Sequence, residues 1–86
     1  MPMRIETRNS VFELSDPGTG MIELKKIEDK TPGKRAKFQE GAVIKAKTYI
    51  LPQFGLPVVL KDGSNGKIIY DSKEPVIKPP VGKISG

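Results

Sequence analysis

Ser10-Val11-Phe12-Glu13-Leu14-Ser15-Asp16-Pro17-Gly18-Thr19-Gly20-Met21-Ile22-Glu23-Leu24 decides the fold class. Phe12 and Leu14 fall on one side of an extended chain and Glu13 on the other, the alternation of a half-buried strand. Ser15 through Gly20 then reads as a strong turn. Asp16 can accept a hydrogen bond from its own backbone two residues on, Pro17 presets φ, and the glycines take positive φ without steric cost. The natural product is a β-hairpin. Its return arm, Met21 to Ile27, is ambiguous by period: Met21, Leu24 and Ile27 suit a helix, Ile22 and Leu24 a strand. Its shortness and its position directly after a turn favour the strand.

Working outward, Met3-Arg4-Ile5-Glu6-Thr7 alternates in the same way, but Ile5 is out of phase with Phe12 and Leu14. A tight turn or bulge at Arg8-Asn9 produces such a slip. Ala42, Ile44, Ala46, Thr48 and Ile50 share one face of what reads as the clearest strand in the chain, with Lys45, Lys47 and Tyr49 on the other. Pro52 and Gly55 interrupt it. Leu56, Val58 and Leu60 follow, and Asp62-Gly63-Ser64-Asn65-Gly66 links them to Lys67-Ile68-Ile69-Tyr70 as a second hairpin. Pro75-Val76-Ile77-Lys78 has the composition of a last edge strand. Nine glycines and eight prolines, about a fifth of the 86 residues, punctuate these runs.

The expected architecture is therefore an all-β, small single-domain meander of about five to seven short strands, forming a compact barrel or a two-layer sandwich. The β domain is placed at residues 1–78 and a flexible Pro/Gly-containing tail at 79–86. The expected core is Ile5, Phe12, Leu14, Ile22, Leu24, Ile44, Ala46, Ile50, Val58, Leu60 and Ile69.

Composition narrows the chemistry. The chain contains neither histidine nor cysteine, which removes the usual neutral-pH general base, the thiol nucleophile, disulfides and the common transition-metal ligands. No catalytic residue, cofactor or metal ligand is assigned, and the chain is expected not to be an enzyme. Asp62 to Gly66 has spaced oxygen ligands, but an EF-hand loop begun at Asp62 would require Glu where Lys73 stands. The first twenty residues lack the apolar core of a signal peptide, and no stretch has the ~18–20 apolar residues that span a bilayer. A soluble protein with no membrane partner is expected, cytoplasmic or, if phage-encoded, virion-associated.

The formal charge is +5, from 15 basic and 10 acidic residues, and the cations are scattered as on an ordinary solvated surface. Two groupings stand out. Glu28 through Lys37 reads as an exposed basic loop, in which Lys30, Lys34, Arg35 and Lys37 lie within eight residues and are followed by Phe38, the components of a phosphate-tracking, base-stacking surface. On the best strand, Lys45 and Lys47 flank a face that also carries Tyr49. These seven residues are the candidate binding surface.

The opening Met3-Arg4-Ile5-Glu6-Thr7-Arg8-Asn9-Ser10-Val11-Phe12-Glu13-Leu14 resembles the start of small uncharacterised β-domains of bacteria and their phages: a strand, an Asn-Ser step, then an aromatic-acidic-apolar run. The resemblance implies a prokaryotic or phage origin and a small barrel, and carries no functional residue. The leading expectation is a non-catalytic binding or assembly module, its partner a protein or a second copy of itself. The alternatives are a nucleic-acid-binding small barrel using the Lys/Arg loop and Tyr49, and a protein that sequesters a small anionic ligand or nucleotide on backbone amides and lysines.

Overall fold

A computed structural model describes residues 2–31, 38–63 and 65–84. Seven strands form two antiparallel sheets: β1 (Met3–Glu6), β2 (Ser10–Ser15), β3 (Ile22–Asp29) and β4 (Val43–Ala46) in that spatial order, and β5 (Thr48–Tyr49), β6 (Pro57–Lys61) and β7 (Ile68–Pro75) in that order. Among the described residues there is no helix, and so none long and apolar enough to cross a membrane.

Local chemistry accounts for most of this order. The Thr7 N–H donates to the Ser10 carbonyl at 2.8 Å, closing a tight β1–β2 turn that sets Ile5 opposite Phe12 despite their sequence phase. In the next turn the Asp16 carboxylate accepts the Gly18 N–H at 2.9 Å, and Gly18 and Gly20 have φ of 83° and 89°. The return arm is strand, and it runs on to Asp29 where a loop was expected. In the β6–β7 hairpin only glycine fits at position 66, because a Cβ there would lie 1.7 Å from the Asp62 carbonyl oxygen.

Ile5, Phe12, Leu14, Ile22, Leu24, Ala46, Val58 and Leu60 are buried as expected, joined by Phe38 and Val76, while Ile44 is half-buried against them. Phe38 stacks on Phe12 with ring centroids 5.8 Å apart, and Tyr70 meets Phe38 edge-on at 5.2 Å. Phe38 is thus a core residue and not part of an exposed stacking surface.

Three expectations are corrected. The run Ala42 to Ile50 is not one strand: at Lys47 the chain leaves the β3 neighbourhood and pairs with β6, so period-two continuity is lost. Ile50 is consequently turned outward, 46% exposed. In β7, Leu60 pairs with Tyr70 and Lys61 with Ile68, leaving Ile69 as an inserted residue. A bulge resets the facing of the residues around it, and Ile69 is 42% exposed while Tyr70 packs inward. Pro75 to Lys78 form no separate strand. Pro75 ends β7, and Val76 makes isolated bridges to Thr7 and Phe54.

The β1 edge is covered by the chain that follows. The Ile77 N–H donates to the Glu6 carbonyl at 2.9 Å, and Arg4 and Val81 exchange backbone hydrogen bonds of 2.6 and 3.0 Å. Of residues 79–84, Ile84 also packs against the core.

Candidate functional site

The core-facing side of β3 is Ile22, Leu24 and Lys26, so period two carries a lysine inward at the end of an apolar row. Lys26 is only 5% exposed. A buried ammonium must be paired or hydrogen-bonded, and its Nζ donates to the Phe38 carbonyl at 2.8 Å and to Asp29 at 3.4 Å. Asp29 is held in turn by the Thr31 N–H and hydroxyl, at 2.9 and 3.0 Å, which keep its carboxyl below the usual carboxylate range.

Above this pair opens a groove of about 780 Å³. One wall is the β4 edge, Val43 and Ile44; the other is β7 from Ile69 to Glu74; Phe38 and Tyr70 form the aromatic floor. Burial pushes the Tyr70 phenol up to about 12, with the charges of Glu74 and Asp71 adding to the shift. Among the described residues neither Asp71 nor Glu74 pairs with a cation; Glu74 accepts hydrogen bonds from Asn9 and Thr7 instead. The β7 wall is bent by a second irregularity. The Ser72 hydroxyl accepts the Val58 N–H at 3.0 Å and donates to the Glu74 carbonyl at 2.8 Å, and Lys73 sits at φ 56°, a left-handed conformation disfavoured for a side chain with a Cβ.

The groove therefore offers an aromatic floor, a rim of mixed charge from Asp71, Lys73 and Glu74, and two strand edges. These features suit an extended or amphipathic guest. Among the described residues no group of three or more acidic side chains converges as a metal site.

Of the basic residues singled out from sequence, the three that are described, Lys30, Lys45 and Lys47, each pair with a different carboxylate. Lys30 is half-buried, where its amine binds the Glu6 carboxylate and the Thr7 carbonyl. Lys45 and Lys47 are exposed on either side of the sheet change and face Glu23 at 3.9 Å and Asp62 at 3.7 Å. Tyr49, expected to be exposed between them, is half-buried against the core. Lys34, Arg35 and Lys37 lie outside the described residues.

A second surface was missed by strand alternation. Ile50, Leu51, Phe54 and Leu56 are 46%, 54%, 66% and 45% exposed within the β5–β6 connector. The connector is pinned: Gly55 donates to the Val76 carbonyl at 2.9 Å, Val76 to Leu56 at 2.9 Å, and Leu56 to Gln53 at 3.1 Å. Its signal in the sequence was an apolar run without periodicity, broken by Pro52 and Gly55. Compared with known proteins, the chain matches no family model, no curated protein and no solved structure.

Proposed function

We propose that this chain is a non-catalytic binding or assembly module that meets a protein partner, or a second copy of itself, through exposed apolar side chains and open strand edges. The observation that carries this reading is the pinned connector with Ile50, Leu51, Phe54 and Leu56 held outward. Full burial of such a side chain is worth about 1.5–3 kcal/mol, of which these four, 45–66% exposed, leave roughly half unrealised, and aromatic anchors presented on an ordered backbone are typical centres of protein interfaces. The groove between β4 and β7 is a second surface of the same character.

We read the two sheets as a small barrel. β4 and β5 are separated only by Lys47, so the chain passes directly from one sheet to the other, and the chain around Val76 to Val81 spans from β7 to β1. The groove is then the place where the wall stays open.

Nucleic-acid binding is the weaker reading because Lys30, Lys45 and Lys47 each face an internal carboxylate. The test pairs selection from a displayed random-peptide library with binding of mixed-sequence oligonucleotides at ~50 and ~200 mM salt. Peptides that bind the native chain and lose at least tenfold affinity to Phe54→Ser are expected, with no oligonucleotide retained at the lower salt. Salt-dependent oligonucleotide binding without selectable peptides would overturn the proposal in favour of a nucleic-acid module.

A further inference from the structure

Between two inward anchors the chain crosses β1 lightly. Val76 is buried and Ile84 packs on the core, but Ile77, the Lys78 side chain and Val81 are 40%, 68% and 69% exposed. The Ile77 N–H donates to the Glu6 carbonyl at 2.9 Å, Arg4 and Val81 exchange bonds of 2.6 and 3.0 Å, and Lys78 faces the Glu6 carboxylate at 3.7 Å. The crossing segment advances from Ile77 to Val81 while β1 retreats only from Glu6 to Arg4. Its surplus length falls at Pro79 and Pro80, which have no N–H to give.

β1 has its own support. It pairs with β2 from Met3 opposite Leu14 to Glu6 opposite Val11, Ile5 is fully buried, and Lys30 also holds the Glu6 carboxylate. A segment with few buried apolar contacts and solvent-exposed hydrogen bonds opens at less cost than the whole fold. What opens here is a formed strand edge, with the Arg4 N–H and the Arg4 and Glu6 carbonyls left unpaired. Such an edge is the template for an added strand. One residue sets the closed state: Gly82 has a φ of 92°, and a Cβ there would lie 2.6 Å from the Pro2 carbonyl oxygen. A side chain at 82 therefore lifts the segment off β1 without touching the core.

We propose that residues 77–84 are a releasable strap, and that the β1 edge beneath it docks an extended protein segment of the strap's own chemistry. The strap itself, seated on that edge, defines this guest: a lysine for the Glu6 carboxylate, a β-branched residue three positions on that pairs with Arg4, and then glycine against Pro2. The site lies on an edge that the open surfaces above do not include, so it can fail while the binding module stands.

Native-state hydrogen exchange of the whole chain tests the strap. The Arg4 and Val81 amides should exchange about a hundredfold faster than those of Leu14 and Leu24, at a rate that denaturant barely changes. Gly82→Ala should speed them further while leaving the circular dichroism and the Leu24 amide unchanged. A synthetic peptide of residues 77–84, followed by the Arg4 amide resonance, should bind Gly82→Ala about tenfold more tightly than the native chain, where it competes with the tethered strap. The same peptide carrying Gly82→Ala should not bind. Arg4 and Val81 amides as protected as Leu24, or loss of the whole fold in Gly82→Ala, would make the strap a fixed part of the structure and overturn the proposal. A strap that opens without admitting the peptide overturns the docking site.

Discussion

Glu6 joins three parts of the chain through single atoms. Its carboxylate takes the Lys30 amine and faces Lys78 at 3.7 Å, while its backbone carbonyl accepts Ile77. The hydrogen bond from Lys30 is the largest influence on its carboxyl, which lies below the ordinary value of 4.5. A carboxyl with a depressed native pKa stabilises the fold above its unfolded pKa and loses that contribution as pH falls through the native one. Urea midpoints of the native chain should therefore fall with acidification below the ordinary value of 4.5 more steeply than those of Glu6→Gln, the two curves converging once the carboxyl is protonated in the native state as well. Parallel curves across that range would show the pair to be inert. The pairing itself was not legible in the sequence, because residues 6 and 30 meet only once β1, β2 and β3 are folded side by side. Lys26 was legible in principle: it continues the Ile22, Leu24 period, and only the rule that lysine faces water argued against it.

β7 is where regular alternation fails. Ile69 is inserted after Ile68, and Lys73 takes a left-handed φ of 56° beside the Asp71 carboxylate, which accepts its N–H at 2.9 Å. A side chain in that region costs about 1–2 kcal/mol, and glycine's larger loss of freedom on folding returns part of any gain. Lys73→Gly should thus stabilise the protein by about 0.5–1 kcal/mol in thermal unfolding. A loss of stability would mean that the Lys73 side chain has a packing role. Turns were read well at this scale because their chemistry is local: Asp16 and Gly18 act within three residues, as does the Thr7–Ser10 closure. Bulges were not, since an inserted residue is defined by the partner strand and not by its own neighbours.

At the scale of the molecule, a cluster of ten buried side chains among the described residues supports surfaces that carry many apolar groups. Phe12 is 1% exposed and touches both Phe38 and Tyr70; its truncation to Ala should cost about 3–5 kcal/mol. Ile69→Ala, at a site the alternation assigned to the core, should cost less than about 0.5 kcal/mol. Chemical denaturation of the two variants measures the contrast, and equal losses would contradict the outward placement of Ile69. By itself the sequence determined the all-β class, both long hairpins and most of the core, because alternation and turn chemistry act between near neighbours. It also set the available chemistry by omitting histidine and cysteine. Tertiary structure alone decided the sheet change at Lys47, the burial of Phe38, the groove between β4 and β7, and the outward facing of Ile50 and Ile69. Each depends on which distant strand lies alongside, and a single strand's period does not encode its partner.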